Sequence, residues 1–131
     1  MNSSSATHAF SINPTTGETL ARWPWATPAD VEHALEKADA GYRQWRSVPV
    51  MERAQRLRDL GAALRNRGEE MAQMITREMG KPIVQSRGEV AKSASLCDWY
   101  AEHGPSMLQT EATQVADAVI EYRPLGPVLA V

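Results

Sequence analysis

The stretch YRPLGPVLAV at residues 122–131 decides how the fold of this sequence is interpreted. Its prolines and glycine form a turn that leads into an unbroken apolar run at residues 128–131. A short apolar run after a turn is typical of a strand buried on both faces of a parallel sheet. Such a strand needs neighbouring strands and covering helices, and none follow it here. We therefore expect residues 124–131 to begin the sheet of an α/β domain whose chemistry lies beyond Val131.

The composition limits the classes of function that the chain can have. Its 131 residues suffice for one domain, and a formal net charge of −2 offers no field that would recruit nucleic acid or an anionic membrane. Cys97 is the single cysteine, which excludes an internal disulfide and favours a reducing compartment. The N-terminus resembles no secretory signal, and no apolar run is long enough to span a membrane. We expect a cytoplasmic protein without nucleic-acid or membrane partners.

Upstream of the tail, the sequence predicts a hairpin and then a capped helix. Residues 1–9 are polar and are expected to be loose, and residues 10–23 alternate around turn residues typical of a hairpin. Thr27 is suited to cap the first helix, and Pro49 follows its end. One apolar stripe along this helix is predicted to be buried: Val31, Leu35, Ala38, Tyr42 and Trp45.

Two further helical stretches follow. Residues 50–79 are predicted to be helical with an interruption at residues 66–68 and a stop at Gly80. Their apolar positions are Ala54, Leu57, Leu60, Gly61, Leu64, Met71, Met74, Ile75 and Met79. The next helix is predicted over residues 83–103 and is expected to end at Gly104 and Pro105. Its buried line is Val90, Ala94, Cys97 and Ala101. Two strands at residues 109–115 and 118–122 then flank a turn.

The residues with chemical potential form no recognisable catalytic set. There is no glycine-rich phosphate loop, and the histidines lack metal-ligand spacing. Cys97 is a candidate nucleophile, but it lies on an apolar helix line with no basic neighbour, so a structural role is favoured. Five arginines between residues 53 and 67 suggest a phosphate-binding face, but interleaved acids favour a salt-bridged, solvated helix face.

Three segments of the sequence resemble the aldehyde dehydrogenase superfamily. They are FSINPTTGE at residues 10–18, REMGKP at residues 77–82 and EYRPLGPVLAV at residues 121–131, and they occur in that family's order and spacing. The second segment, with EVAKSASLCDWYAEHG at residues 89–104, is most similar to the bacterial NAD-type succinate semialdehyde dehydrogenases. The resemblance extends from about residue 8 to residue 131.

The resemblance implies an aldehyde-dehydrogenase-like three-domain fold of the α/β class. Residues 10–108 would supply the N-terminal hairpin and helices of the dinucleotide-binding domain, and residues 109–123 the strands of an oligomerisation arm. Residues 124–131 would start the dinucleotide-binding sheet. The arm implies a homo-oligomer.

The resemblance also implies a reaction, the oxidation of a short aldehyde such as succinate semialdehyde to the acid with NAD or NADP. In this family a cysteine thiolate attacks the aldehyde, hydride passes to the nicotinamide, and a glutamate activates the water that releases the acid. By the family pattern these groups, and those that bind the cofactor, lie beyond Val131. No catalytic or cofactor-binding residue is therefore expected in this chain, which is predicted to be inactive alone.

Two weaker sites follow from the resemblance. A monovalent cation would be held by backbone carbonyls of Ser11 and Ile12 and by Glu78, which stands in place of a commoner aspartate; alternatively, Glu78 only ends its helix at the surface. Lys92 falls near a position that can face the family's substrate tunnel, where it would steer a second carboxylate; alternatively, it is a surface lysine.

Two other classes of protein remain open at the level of sequence. One is a non-catalytic interaction module that pairs with full-length subunits through the strands of residues 109–123. The other is an independent helical binding domain, against which the apolar tail argues. A fragment of an enzyme is further expected to associate, because its apolar stripes would lack partners.

Overall fold

The structure, a computed structural model, describes residues 7–130 as two small hairpins that flank four helices. The predicted order of a hairpin, helices and a second hairpin is confirmed, but the strand predicted after them is not formed. In chain order they are β1 (His8–Ile12), β2 (Thr19–Pro24), α1 (Pro28–Trp45), α2 (Val50–Asn66), α3 (Gly68–Met79), α4 (Ile83–Met107), β3 (Glu111–Ala112) and β4 (Val119–Ile120).

The first hairpin forms where the turn residues predict it. β1 and β2 are antiparallel, and the register shifts between Ser11 and Ile12. In the turn, the side chain of Asn13 accepts from the backbone N–H of Thr15 at 2.9 Å, and Gly17 adopts a φ of 75°. Of the residues expected to be loose, 1–6 lie outside the described residues, whereas His8 and Ala9 pair with Pro24 and Trp23 in the hairpin.

Helix α1 begins as predicted but is not buried as predicted. The Thr27 side chain accepts from the N–H of Asp30, and the Asp30 carboxylate accepts from the N–H of Thr27, which completes a capping box. Yet α1 contains no buried residue, and Leu35 on its apolar stripe is 60% exposed. The prediction of a buried stripe is wrong for the described chain, because no described element packs closely against that face.

The packed centre of the molecule is the contact of α2 and α3 with α4, and small side chains form it. Gly61 lies so close to α4 that a Cβ there would stand 3.1 Å from the carbonyl oxygen of Ala94. The predicted line on α4 is largely confirmed, although Cys97 is only half-buried. On α3, Ala72 is buried, whereas Met79 at the end of the apolar side is 69% exposed. The buried residues are Ala54, Gly61, Ala72, Ser86, Val90, Ala94 and Ala101.

Helix α4 continues to Met107, so the predicted end at residue 103 is wrong. Pro105 lies inside the helix and cannot donate an N–H to the carbonyl of Ala101, four residues earlier. The guanidinium of Arg58 on α2 donates to that carbonyl at 3.3 Å instead. A side chain from another helix thus replaces the missing backbone hydrogen bond, and the helix passes through the proline.

The predicted helix break and helix stop are confirmed. Arg67 separates α2 from α3 with a φ of −105° and a ψ of 16°. Gly80 ends α3 in the left-handed region, and its N–H donates to the carbonyl of Thr76 at 2.9 Å. A Cβ at Gly80 would lie 3.0 Å from Cγ of Pro14, so the end of α3 and the first hairpin's turn touch here.

The second hairpin is shorter than predicted, and the tail after it differs from its prediction. β3 and β4 pair over two residues each, around a turn in which Asp117 adopts a φ of 61°. Residues 121–130 form no strand, and Val128 and Leu129 are 85% and 86% exposed. A strand needs a hydrogen-bonded neighbour, and no described strand lies beside the tail. Val131 lies outside the described residues.

The chain exposes more surface than a compact protein of its size. Its accessible surface is 10761 Å², whereas a folded monomer of this length exposes about 6,900 Å². The exposed side chains include large apolar ones on α1, on the tail and on the second hairpin. Over residues 7–130, no helix combines the length and the hydropathy that a membrane crossing requires.

Candidate functional site

The structure brings two of the three predicted cation-site residues together. The hydroxyl of Ser11, on β1, donates to Oε1 of Glu78, near the end of α3, at 2.8 Å. The residues are brought close because the hairpin turn packs on Gly80. Ile12 follows at the register shift, and its side chain is half exposed.

The surroundings of this pair define what it can bind. Within residues 7–130, no three His, Cys, Asp or Glu side chains are placed to hold a metal ion, so Glu78 would need carbonyl oxygens as further ligands. Beside the pair is a groove of about 390 Å³ between the hairpin and α3, lined by Leu20, Ala21, Trp23, Glu70, Gln73, Met74, Arg77 and Glu78. Carboxylate, hydroxyl and carbonyl oxygens are the ligand types that hard cations take in proteins.

Lys92 is separate from that pair. Successive helical residues are rotated by about 100°, so Lys92 lies on the face of α4 opposite the packed positions Val90 and Ala94. Its side chain is exposed. The structure therefore leaves the ammonium free to meet a ligand that approaches α4 from its unpacked face.

Cys97 lies in the contact between α2 and α4. A Cβ at Gly61 would stand 3.3 Å from Cβ of Cys97. The thiol is free of disulfide pairing and half-buried. This position at a close helix crossing supports the structural role that the sequence favours over a nucleophilic one.

Three of the five arginines between residues 53 and 67 are engaged in ion pairs, which supports the salt-bridged interpretation for these three. Arg56 pairs with Asp59 at 3.6 Å, and Arg65 pairs with Asp98 of α4. Arg67 pairs with Glu70 at 2.6 Å, and hydrogen bonding from this arginine lowers the pKa of the Glu70 carboxyl. These partners are charged side chains of the same chain, which leaves no clustered phosphate-binding face on α2.

A further pair ties α3 to α4. Both nitrogens of the Arg87 fork donate to Glu69 at 2.8 Å, and Gln73 donates to the same carboxylate at 3.0 Å. The hydrogen bonds from Arg87, followed by the one from Gln73, lower the pKa of Glu69 to about 2. The pair is exposed, so its contribution to the contact of α3 with α4 is small.

The structure contains a cavity that the sequence analysis does not predict. It measures about 360 Å³ and lies between the end of α1, the start of α2 and the end of α4. Arg53 lines it, and Nε of this arginine is buried without a hydrogen-bond partner among residues 7–130. The available signal was the spacing of Arg53 and Leu57, which puts a charged side chain on the apolar side of α2.

The chain belongs to the aldehyde dehydrogenase family, whose model matches residues 1–131. Among curated proteins, it is 66% identical over 128 residues to the succinate semialdehyde dehydrogenase [NAD(P)+] Sad of Escherichia coli K12. That match covers 96% of this chain and 28% of the relative. A succinate-semialdehyde dehydrogenase [NADP(+)] of Deinococcus radiodurans is 38% identical over 122 residues, which are 92% of this chain and 26% of the relative.

Solved structures show the same fold. The succinate-semialdehyde dehydrogenase of Burkholderia pseudomallei matches with a TM-score of 0.75 and 31% identity, over 84% of this chain and 23% of that one. The succinic semialdehyde dehydrogenase of Streptococcus pyogenes, solved with NADP+, matches with a TM-score of 0.77 and 27% identity, over 84% and 24% of the two chains. The chain thus spans about a quarter of the length of these relatives.

Proposed function

We propose that this chain is the N-terminal segment of an NAD(P)-dependent aldehyde dehydrogenase that oxidises succinate semialdehyde, or a similar short semialdehyde, to the acid. The observation that carries the proposal is the identity to the Escherichia coli succinate semialdehyde dehydrogenase, which extends over almost the whole chain. The aldehyde would form a thiohemiacetal with a cysteine beyond Val131, since Cys97 lies in a helix contact.

The described residues do not themselves fit a dinucleotide cofactor. A pyrophosphate is held by a glycine-rich turn between a strand and a helix N-terminus. The sequence has no such glycine pattern, and residues 121–130 pair with no strand. We therefore assign the binding of NAD or NADP to residues beyond Val131, and we expect the 131-residue chain to show no dehydrogenase activity.

A chimera tests the function directly. These 131 residues replace the matching segment of the Escherichia coli enzyme, and formation of NADH or NADPH is measured with succinate semialdehyde. We expect activity from the chimera and none from the 131-residue chain. A folded chimera that turns over other aldehydes but not succinate semialdehyde would contradict the substrate, and turnover by the short chain would contradict its inactivity.

Within this function, we propose that Lys92 steers the carboxylate of the substrate. The exposed ammonium on the unpacked face of α4 supports it. In the chimera, Lys92→Met is expected to raise the KM for succinate semialdehyde several-fold and to leave the KM for butanal, which lacks the carboxylate, unchanged. Lys37→Met on α1 is the control. Equal effects on both aldehydes would exclude a steering role.

We also propose that Glu78, with the carbonyls of Ser11 and Ile12, holds a monovalent cation. The support is the 2.8 Å hydrogen bond that joins Ser11 to Glu78. The chimera should lose thermal stability when K⁺ and Na⁺ are replaced by a bulky organic cation, and Glu78→Gln should remove that dependence. A dependence that survives in Glu78→Gln would place the cation elsewhere.

Finally, we propose that residues 109–123 contact another subunit of a homo-oligomer. β3 and β4 are short, and the apolar side chains of Val119 and Ile120 on β4 are exposed. Ile120→Asp in the chimera should lower the oligomeric state measured by light scattering, and Lys37→Asp, exposed and outside the apolar stripe of α1, is the control. An unchanged mass for Ile120→Asp would remove these strands from the interface. The same exposed strands would serve an interaction module, which an inactive but oligomer-forming chimera would favour.

A further inference from the structure

The groove between the first hairpin and α3 has walls on which a small amphipathic ligand can rest. Its volume of about 390 Å³ falls in the range of ligand pockets. Ser11 pairs with Ala21 across the hairpin, and Trp23 lies two positions further on the same face, the face whose Ser11 hydroxyl reaches α3. Trp23 and Met74 line the groove and are 49% and 52% exposed, so an apolar group that enters can lie against both.

Two unneutralised charges of opposite sign line the same groove and are exposed to an entering ligand. Arg77 forms no ion pair and no side-chain hydrogen bond within residues 7–130. Glu78 accepts a hydrogen bond from Ser11 through Oε1, but no cation of the described chain pairs with it. The other charged residue of the lining, Glu70, is neutralised by Arg67 at 2.6 Å. The groove therefore offers one free cation and one free anion beside an aromatic wall.

We propose that this groove binds an α-amino acid with an apolar side chain. Its carboxylate would meet the fork of Arg77, its ammonium Oε2 of Glu78, and its side chain the indole of Trp23. A guanidinium matches carboxylate geometry, and both contacts are charge-assisted hydrogen bonds. A zwitterion fits better than a simple anion or cation, because each of those would also face a like charge. The inference does not depend on the proposed oxidation of an aldehyde.

The ligand is tested by NMR titration of the 131-residue chain in a buffer without K⁺ or Na⁺, with the indole N–H of Trp23 as the reporter. The signal is assigned by its loss in Trp23→Phe. The probe is L-phenylalanine, and three matched probes each lack one feature: phenethylamine has no carboxylate, 3-phenylpropionate has no ammonium, and L-alanine has no large side chain. We expect a saturable shift with L-phenylalanine and weaker binding of the other three. A chain with a helical circular dichroism spectrum that shows no saturable shift overturns the proposal, and so does equal binding of all four probes.

Two variants separate the two charged ends of the ligand. Arg77→Met should weaken binding of L-phenylalanine about tenfold or more and change that of phenethylamine less than about twofold. Glu78→Gln keeps an acceptor for Ser11 and should weaken L-phenylalanine by a similar factor, but it should not weaken 3-phenylpropionate. Arg46→Met and Glu32→Gln, both exposed on or next to α1, are the controls. If Arg77→Met weakens L-phenylalanine and phenethylamine alike, the assignment of the two ends is overturned.

A second arm asks whether the groove stays open in the longer polypeptide. Binding of L-phenylalanine to the chimera with the Escherichia coli enzyme is measured by equilibrium dialysis. Binding that Arg77→Met removes supports the groove as the site, and binding that survives Arg77→Met places the ligand elsewhere and overturns the proposal. Binding by the short chain but not by the chimera would show that polypeptide covers the groove, which also overturns it. A chimera that binds L-phenylalanine but forms no NADH or NADPH would contradict the proposed function alone.

Discussion

Helices α1 and α4 both carry an apolar stripe, but of these two helices only α4 buries its stripe. On α4 the stripe consists of Val90, Ala94 and Ala101, and α2 and α3 pack against it. On α1 it consists of larger side chains, and none of them is buried. The periodicity of a sequence predicts which face of a helix is apolar, but the partner that covers it must be found elsewhere in the polypeptide.

Side-chain size explains why the two regions differ. Glycine and alanine at the crossing of α2 with α4 let the two backbones approach, since a Cβ at Gly61 would stand only 3.1 Å from the carbonyl oxygen of Ala94. The large side chains on α1 would fill a wider gap, and Val31 and Leu35 are 47% and 60% exposed, so no described segment covers this part of the stripe. Four substitutions test this contrast between the packed contact of α2 and α3 with α4, called the helical centre below, and the exposed elements around it.

The largest effect is expected from glycine substitution at the centre. Gly61→Val must push against the backbone oxygen of Ala94, and we expect the free energy of unfolding to fall by about 2–3 kcal/mol. Gly41→Val on α1 meets no atom within 4 Å and should change it by less than about 0.5 kcal/mol. Denaturant unfolding measures both. Equal losses of stability in the two variants would show that α1 is packed as closely as the crossing of α2 with α4.

The next effect concerns the replacement of a backbone hydrogen bond at Pro105. Arg58→Met should lower the free energy of unfolding by about 1–2 kcal/mol, because the carbonyl of Ala101 loses its donor. In a Pro105→Ala background the new N–H can reach that carbonyl, and the same change should cost less. Denaturant unfolding of the double-mutant cycle measures the coupling, with Arg56→Met as control. Full additivity would show that Arg58 does not compensate for the proline.

A smaller effect on stability is expected from loss of the N-terminal cap of the exposed helix α1. Thr27→Ala removes the capping box and should weaken α1 by about 1 kcal/mol. Because α1 is hardly packed, amide hydrogen exchange should accelerate within α1 while the denaturant midpoint of the centre stays nearly constant. A matching fall of the global midpoint would show that α1 unfolds together with the other helices.

The smallest effect concerns pH and the exposed pair Glu69–Arg87. The pKa of Glu69 is lowered from 4.5 to about 2, so the pair's contribution is complete above pH 4.5 and is lost as the pH falls through 2. The denaturant midpoint of Glu69→Gln should lie slightly below that of the parent at neutral pH and converge with it in acid. In an Arg87→Gln background most of the difference should disappear, leaving the smaller part due to Gln73, and an undiminished difference would assign it to another partner.

Local signals in the sequence predict the helix boundaries well. Thr27, Gly80 and the turn of the first hairpin act through their own backbone and through residues three or four positions away. Long-range contacts explain where the structure differs from the predictions made from the sequence. The passage of α4 through Pro105 depends on Arg58, which is far away in the sequence, and the strand expected at residues 128–131 depends on strands that the described chain does not contain.

The candidate sites also differ in whether the sequence can predict them. The resemblance of motifs selects Ser11 and Glu78, which the fold then places within hydrogen-bond distance. The cavity beside Arg53 could not be predicted, because its walls come from three helices whose relative positions are set by tertiary packing. A charged residue within an apolar helix face is the signal that would draw attention to such a site in other sequences.

The small side chains of the helical centre also determine how it responds to temperature. The heat capacity change of unfolding grows with the apolar area that becomes hydrated, about 12–15 cal/mol/K per residue in ordinary domains. Alanine, glycine and serine at the crossing of α2, α3 and α4 hide little such area and lose almost no rotamer entropy on folding. The helical centre should therefore have a flat stability curve, with a free energy of unfolding that changes only slowly between cold and warm conditions.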